Sequence, residues 1–144
     1  MRRGLFTYSN RDCVIVLSRN GMQKSVKFET ESYLSYVNIK KFRDAFARFR
    51  LRNCALNAYL PSNEEDVTTN CPFCDSVEDE RHFLLHCKMY DDLRDRFILK
   101  HLQGFNYNGI AYLVNGRDVT KTRDVAMYIY YAYRLRGDKI SNTS

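Results

Sequence analysis

The 144-residue chain has no tryptophan, two prolines and six glycines. That excludes a proline-rich spacer, a collagen-like repeat or a glycine-rich flexible chain. Long apolar runs are also missing. The longest aliphatic stretch, Val14 to Leu17, is far short of the roughly 20 residues a membrane-spanning helix needs. Met1-Arg2-Arg3 has the charge of a secretory signal's start. However, polar residues from Tyr8 to Asp12 interrupt the apolar stretch of about 7 to 15 residues that should follow. The expectation is one intracellular domain. Cysteine is odd in number, at five, which without a secretory signal argues against a disulfide framework, since each bridge consumes two thiols in an oxidising compartment.

Three of those cysteines and two of the three histidines fall between positions 71 and 87. The segment reads Cys71-Pro-Phe-Cys74, seven residues, His82, four residues, Cys87. Three thiolates and one imidazole can close a tetrahedron around zinc. Cys71-Pro72-Phe73-Cys74 also reads like the motif of a thiol oxidoreductase, whose first thiolate follows a buried strand. Here Asp66-Val-Thr-Thr-Asn70 precedes it and is too polar for such a strand. The fourth ligand stays open on spacing alone. His82 and His86 share a helical face at i, i+4, whereas Cys87 would lie about 140° around an unbroken helix, so spacing favours His86. Ser76-Val-Glu-Asp79 is a capping-box pattern leading into a helical turn over Glu80 to His86.

Around this segment the pattern is mainly α-helical. Residues 1–27 form an N-terminal segment, with Cys13 to Leu17 and Lys24 to Phe28 as a possible β-hairpin about Asn20-Gly21. Residues 28–140 read as the helical zinc-stapled domain, and 141–144 as a disordered tail. Tyr33, Leu34 and Val37 lead into an amphipathic helix. Asn38 is its expected N-cap, and Ile39, Phe42, Ala45, Phe46 and Phe49 form its apolar face. After Cys87, Tyr90, Leu93, Phe97 and Leu102 form a second stripe running to Gly104. Residues 104–119, rich in Gly, Asn and Asp, read as an irregular connection. A final helix is expected from Thr122, with Val125, Ile129, Ala132 and Tyr133 inward, ending at Gly137. Cys13 and Cys54 read as ordinary buried thiols.

Charge is unevenly placed on a net +6. Lys40, Lys41, Arg43, Arg48, Arg50 and Arg52 face a single acid, Asp44, while Asp75, Glu78, Asp79, Glu80, Asp91 and Asp92 surround the cysteine cluster. The acidic surroundings and a full set of four protein ligands imply a structural zinc with no open position for an activated water. Any RNA or DNA would meet the six basic residues instead. The competing reading of these residues is a core helix with a solvated charged face. Tyr128, Tyr130, Tyr131 and Tyr133 can stack on bases or pack in a core, and their spread around a helix favours packing. The sequence holds no convincing nuclease core, since the candidates Asp118 and Lys121 lack a partner.

Taken together, Cys71-Pro-Phe-Cys74, Val77-Glu-Asp-Glu80, His82-Phe-Leu-Leu85, Cys87 and Tyr90-Asp-Asp-Leu-Arg94 resemble the zinc-binding region of non-LTR retrotransposon reverse transcriptases. The resemblance continues upstream in Phe28-Glu-Thr-Glu-Ser-Tyr-Leu34, Lys41-Phe-Arg43 and Ala47-Arg-Phe-Arg50, and downstream from Val125-Ala-Met-Tyr-Ile129 to Arg136. It implies Cys71, Cys74, His82 and Cys87 as ligands of one structural zinc, a helix ending before Cys87 and a second starting at Lys88. Many relatives have proline where this chain has Lys88. The resemblance also implies a non-catalytic, nuclear module that holds RNA or DNA beside a polymerase carried on a separate domain. Met89-Tyr90-Asp91-Asp92 is not that polymerase's metal-binding turn, because its tyrosine abuts the aspartates inside an expected helix. The alternative is a zinc-stapled protein-interaction module, or a decayed fragment of a mobile element.

Overall fold

Phenylalanines at positions 42, 46 and 49 recur at steps of four and three, which places all three rings on one face of a helix. The computed structural model describes residues 6–8, 14–16, 28–29, 31–54, 56–59, 68–103 and 109–143. In it these rings lie buried on α2 (Lys40–Arg50), behind a short α1 (Tyr33–Tyr36). α3 (Asp91–Phe97), α4 (Gly109–Val114) and the long α5 (Val119–Thr143) follow. At 1.5 Å per residue α5 spans roughly 37 Å, and α1, α2, α3 and α4 all pack on it. Its stripe of Val125, Ala126, Tyr128, Ile129 and Ala132 is fully buried. The described chain is therefore mostly helical, as the periodicity requires.

Among the described residues, strands are confined to the start of the chain. β1 (Phe6–Tyr8), β2 (Val14–Val16) and β3 (Phe28–Glu29) form an antiparallel sheet in that order. The hairpin strand expected at 13–17 is β2, but Ile15 pairs with Phe28, whereas a two-residue turn at Asn20-Gly21 would set it against Val26. The partner of Ile15 therefore lies two residues farther along the chain than a turn at that dipeptide would give. The turn itself lies outside the described residues, as does Cys13.

Several expected boundaries move. Ile39 precedes the first turn of α2, with no side-chain cap, so Asn38 does not cap it. The stripe after Cys87 divides into α3 and a 3-10 turn at Leu99–His101. The connection at 104–119 contains α4, because Ile110 and Leu113 stand one helical turn apart and Leu113 is fully buried. Gly116, at φ 73°, then reverses the chain. Asp118 caps α5 by accepting the Lys121 amide at 2.7 Å, which starts the helix before Thr122. α5 also continues through Gly137 to Thr143, so residues 141–143 are helical rather than a disordered tail. No helix among the described residues is long and apolar enough to cross a membrane.

Candidate metal centre

The ligand-bearing loop is built from two local devices. The first is a tight reversal around Cys71-Pro-Phe-Cys74. Asn70 and Val77 form an antiparallel bridge, the Glu78 amide donates to Thr69 O at 2.9 Å, and the Cys71 amide donates to Ser76 O at 2.7 Å. The Phe73 amide donates to Cys71 Sγ at 3.4 Å, so the backbone itself orients that sulfur. The second device is a widened helical turn, His82–His86. Asp79 opens it by accepting the His82 amide at 2.8 Å. The expected capping box is thus corrected: Asp79 is the cap, and Ser76 serves the reversal.

The widened turn decides between His86 and Cys87. The Cys87 amide donates to His82 O at 2.8 Å, a π-type bond spanning five residues, and Cys87 then leaves the helix with ψ 122°. Residue i+5 is thereby carried back over residue i, which an unbroken 3.6-residue helix would not do. Cys87 is fully buried, while His86 is exposed. The spacing argument for His86 fails because it assumed a regular helix. The chain resumes at Lys88–Tyr90 as a 3-10 turn that runs into α3.

Cys71, Cys74, His82 and Cys87 offer ligand atoms that all lie within 4.8 Å of one another. Cys87 Sγ stands 3.8 Å from Cys71 Sγ and 3.7 Å from Cys74 Sγ. A tetrahedron with metal–sulfur bonds of about 2.3 Å has sulfur–sulfur edges of about 3.8 Å. His82 Nε2 is buried with no hydrogen-bond partner, an arrangement that costs free energy until something accepts its lone pair or proton. The residues therefore fit a metal ion. Burial pushes the Cys71 thiol up and the Cys87 thiol up to about 12, and it lowers the His82 imidazole. A metal entering here must displace thiol protons, while the imidazole is already neutral near pH 7.

Three residues to which the sequence assigns no structural role hold this loop in place. Arg94 is buried, and its Nε and Nη2 donate to Leu84 O at 2.9 Å and Cys87 O at 2.8 Å. Glu78 is 1% exposed; its carboxylate accepts the Asn57 amide and a two-point contact from Arg136. Phe83, next to His82, packs against Phe49, Tyr90, Tyr128 and Tyr133 at centroid distances of 5.8, 5.1, 5.8 and 4.9 Å. Glu78 and Arg94 fall in the stretches Val77-Glu-Asp-Glu80 and Tyr90-Asp-Asp-Leu-Arg94 that carry the resemblance, but no spacing rule assigns either a partner.

Comparison with known proteins adds no relative. No family model, curated protein or solved structure matches this chain. The functional reading therefore rests on the side chains themselves.

The six basic residues do not act as one patch. Lys40 pairs with Asp44, Arg50 with Glu31 at 3.3 Å and Arg52 with Glu80 at 2.9 Å. Arg52 also closes α2 in a left-handed conformation, φ 56°, with the Asn53 amide donating back to Arg48 O at 2.9 Å. Arg43 is half-buried, its Nε enclosed without a partner. Lys41 and Arg48 are exposed and have no carboxylate partner among the described residues. Of the α5 tyrosines, Tyr128 and Tyr133 pack in the core as their spacing favours, while Tyr130 is half-buried and Tyr131 is exposed. Tyr128 is fully buried and donates to Phe83 O, Tyr133 stacks on Phe83, Tyr130 meets Phe42 edge-on and Tyr131 stacks on Phe97. Asp118 is the α5 cap, and the Lys121 ammonium donates to Tyr112 O and Asn115 Oδ1. Asp91 pairs with Arg94 in the first turn of α3.

Proposed function

We propose that this chain is a non-catalytic nucleic-acid-binding module stapled by one structural zinc, akin to the C-terminal region of a non-LTR retrotransposon reverse transcriptase. The observation that carries the metal part is the set of sulfur–sulfur separations, 3.7 and 3.8 Å, beside the unpartnered His82 Nε2. Three thiolates and an imidazole in a tetrahedral frame suit zinc over magnesium or calcium, which prefer oxygen ligands. Once bound, zinc would be fully coordinated by Cys71, Cys74, His82 and Cys87, which supports a structural role. Its work is to lock the acidic loop onto α5, leaving the exposed cations of α2 that have no carboxylate partner, Lys41 and Arg48, for RNA or DNA. Such a module operates inside the cell, in the nucleus.

An apolar groove of about 310 Å³ lined by Tyr36, Val37, Ile39, Phe42 and Met127 favours a second reading, in which the zinc-stapled helices present a surface to a protein partner. Native mass spectrometry before and after a strong chelator, with circular dichroism on both samples, tests the metal. One zinc per chain, lost together with helicity, is expected; a metal-free and fully folded protein would overturn it. Gel-shift titration at low and moderate salt tests the binding. Affinity for RNA or DNA that falls as salt rises is expected, and no shift at any salt leaves the protein-interaction reading.

A further inference from the structure

Between α2 and α5 lies a groove of about 460 Å³ lined by Lys41, Arg48, Arg134, Tyr130, Tyr133 and Cys54. Its three cations are exposed. Arg134 comes from α5, outside the basic cluster that the sequence marks, and reaches the groove because the two helices pack side by side. The Lys41 ammonium sits 5.0 Å and the Arg134 guanidinium 5.9 Å from the centroid of the Tyr130 ring. Arg134 Nη1 also donates to the Tyr130 hydroxyl at 3.2 Å.

Negative charge nearby is accounted for. Asp44 lines the groove but is held by Lys40, and Asp138 lies near Arg134 without forming an ion pair with it among the described residues. The groove therefore combines an aromatic ring, two cations that can swing off that ring and a third cation, Arg48, farther along α2. Stacking on an aromatic ring requires a base that is not paired within a duplex. Phosphates on either side of such a base would meet the released cations. An acidic peptide supplies the charge but no planar base for the ring.

We propose that this groove binds an unpaired stretch of nucleic acid, with a base on Tyr130 and the flanking phosphates on Lys41, Arg48 and Arg134. The proposal rests on the nucleic-acid reading above and narrows it to a single-stranded ligand and one path. Lys40, Arg50 and Arg52, already neutralised by Asp44, Glu31 and Glu80, contribute little.

Fluorescence anisotropy on the metal-loaded full chain tests it, using labelled oligouridylate, a duplex of similar charge and polyglutamate across a salt series. The wild type should bind the single strand most tightly. Lys41→Ala/Arg48→Ala/Arg134→Ala should reduce the log-affinity against log-salt slope by about 2, from roughly 0.7 per phosphate on a single strand. Lys40→Ala/Arg50→Ala/Arg52→Ala should leave the slope close to wild type. Tyr130→Leu should weaken single-strand binding about ten-fold with little change in slope. If that variant fails to fold, the first triple variant, which changes only exposed side chains, decides alone. Single-strand binding with an unchanged slope in the groove variant would overturn the groove and leave the nucleic-acid reading standing. Preference for the duplex, or equal affinity for polyglutamate, would also overturn it. No binding by the wild type to any nucleic acid would remove the underlying reading.

Discussion

Arg136 and Glu78, 58 residues apart in the chain, form a two-point ion pair in which guanidinium Nε and Nη2 donate to the two carboxylate oxygens at 2.6 and 2.9 Å. Glu78 ends the reversal that carries Cys71 and Cys74, and Arg136 lies on α5, so this pair couples the metal loop to the main helix. Removing one partner strands a buried charge, which costs more than an exposed pair contributes. Arg136→Ala should lose about 3–5 kcal/mol in urea unfolding of the metal-loaded protein. Adding Glu78→Gln should recover part of that loss, since the neutral amide removes the stranded charge. A single-variant loss below about 1 kcal/mol would show that water reaches Glu78.

The two neighbours His86 and Cys87 should behave oppositely. His86 is exposed and outside the cluster, so His86→Ala should leave both zinc content and stability within about 0.5 kcal/mol of wild type. Cys87→Ser removes a soft ligand from the centre, and the isolated protein should lose its zinc and much of its helicity. Metal analysis by mass spectrometry reads both. Retained zinc in Cys87→Ser with loss in His86→Ala would reverse the assignment.

Proton competition gives the metal-loaded and metal-free proteins opposite responses to pH. Burial holds the Cys71 thiol above its usual value and the Cys87 thiol at about 12, so at pH 7 zinc must displace at least these two protons. Apparent zinc affinity should rise by about two decades or more per pH unit between roughly pH 6.5 and 8, read by competition with a chromophoric chelator. Without metal the sign inverts. A thiol whose folded pKa lies above its unfolded value stabilises the fold fully below about 9, and that contribution is lost as pH climbs through about 12. Urea midpoints of any folded metal-free protein should fall over this alkaline window.

Arg94 touches no ligand atom, yet it binds the carbonyls of Leu84 and Cys87 at once. A lysine cannot span both acceptors with a planar fork. Arg94→Lys should therefore weaken zinc binding about 10- to 100-fold, the range for residues that orient ligands, while the helical circular dichroism of the zinc-saturated protein stays near wild type. Unchanged affinity would reduce Arg94 to a packing residue.

The sequence made legible whatever depends on periodicity and residue type: the apolar faces of α2 and α5, the packing of Tyr128 and Tyr133, and the grouping of Cys71, Cys74 and His82. Less legible was whatever depends on a local departure from regular geometry. The wide turn at His82–His86 moves Cys87 into the cluster through one i→i+5 bond that no spacing rule for an ideal helix contains. Long-range ion pairs were equally hidden. Glu31 and Glu80 lie 19 and 28 residues from the arginines they neutralise, so a charge count over residues 40–52 overstated the free positive charge. Arg134 reached the opposite outcome, because it joins that face only through the packing of α5 on α2.

Gly137 shows how a terminator signal can be overridden. Glycine favours a helix end when it adopts a left-handed φ there, but Gly137 lies inside α5, and Gly116 is the glycine with positive φ among the described residues. An added Cβ at Gly137 would meet nothing within 4 Å. Replacing an exposed helical glycine by alanine removes backbone freedom from the unfolded chain without a clash, which stabilises by about 0.5–1 kcal/mol. Gly137→Ala should therefore raise the urea midpoint and preserve helicity. Were Gly137 instead the left-handed end of a shorter helix, the same substitution would be strained and the midpoint would fall, so the sign of this one shift distinguishes a helix running to Thr143 from one that stops at Gly137.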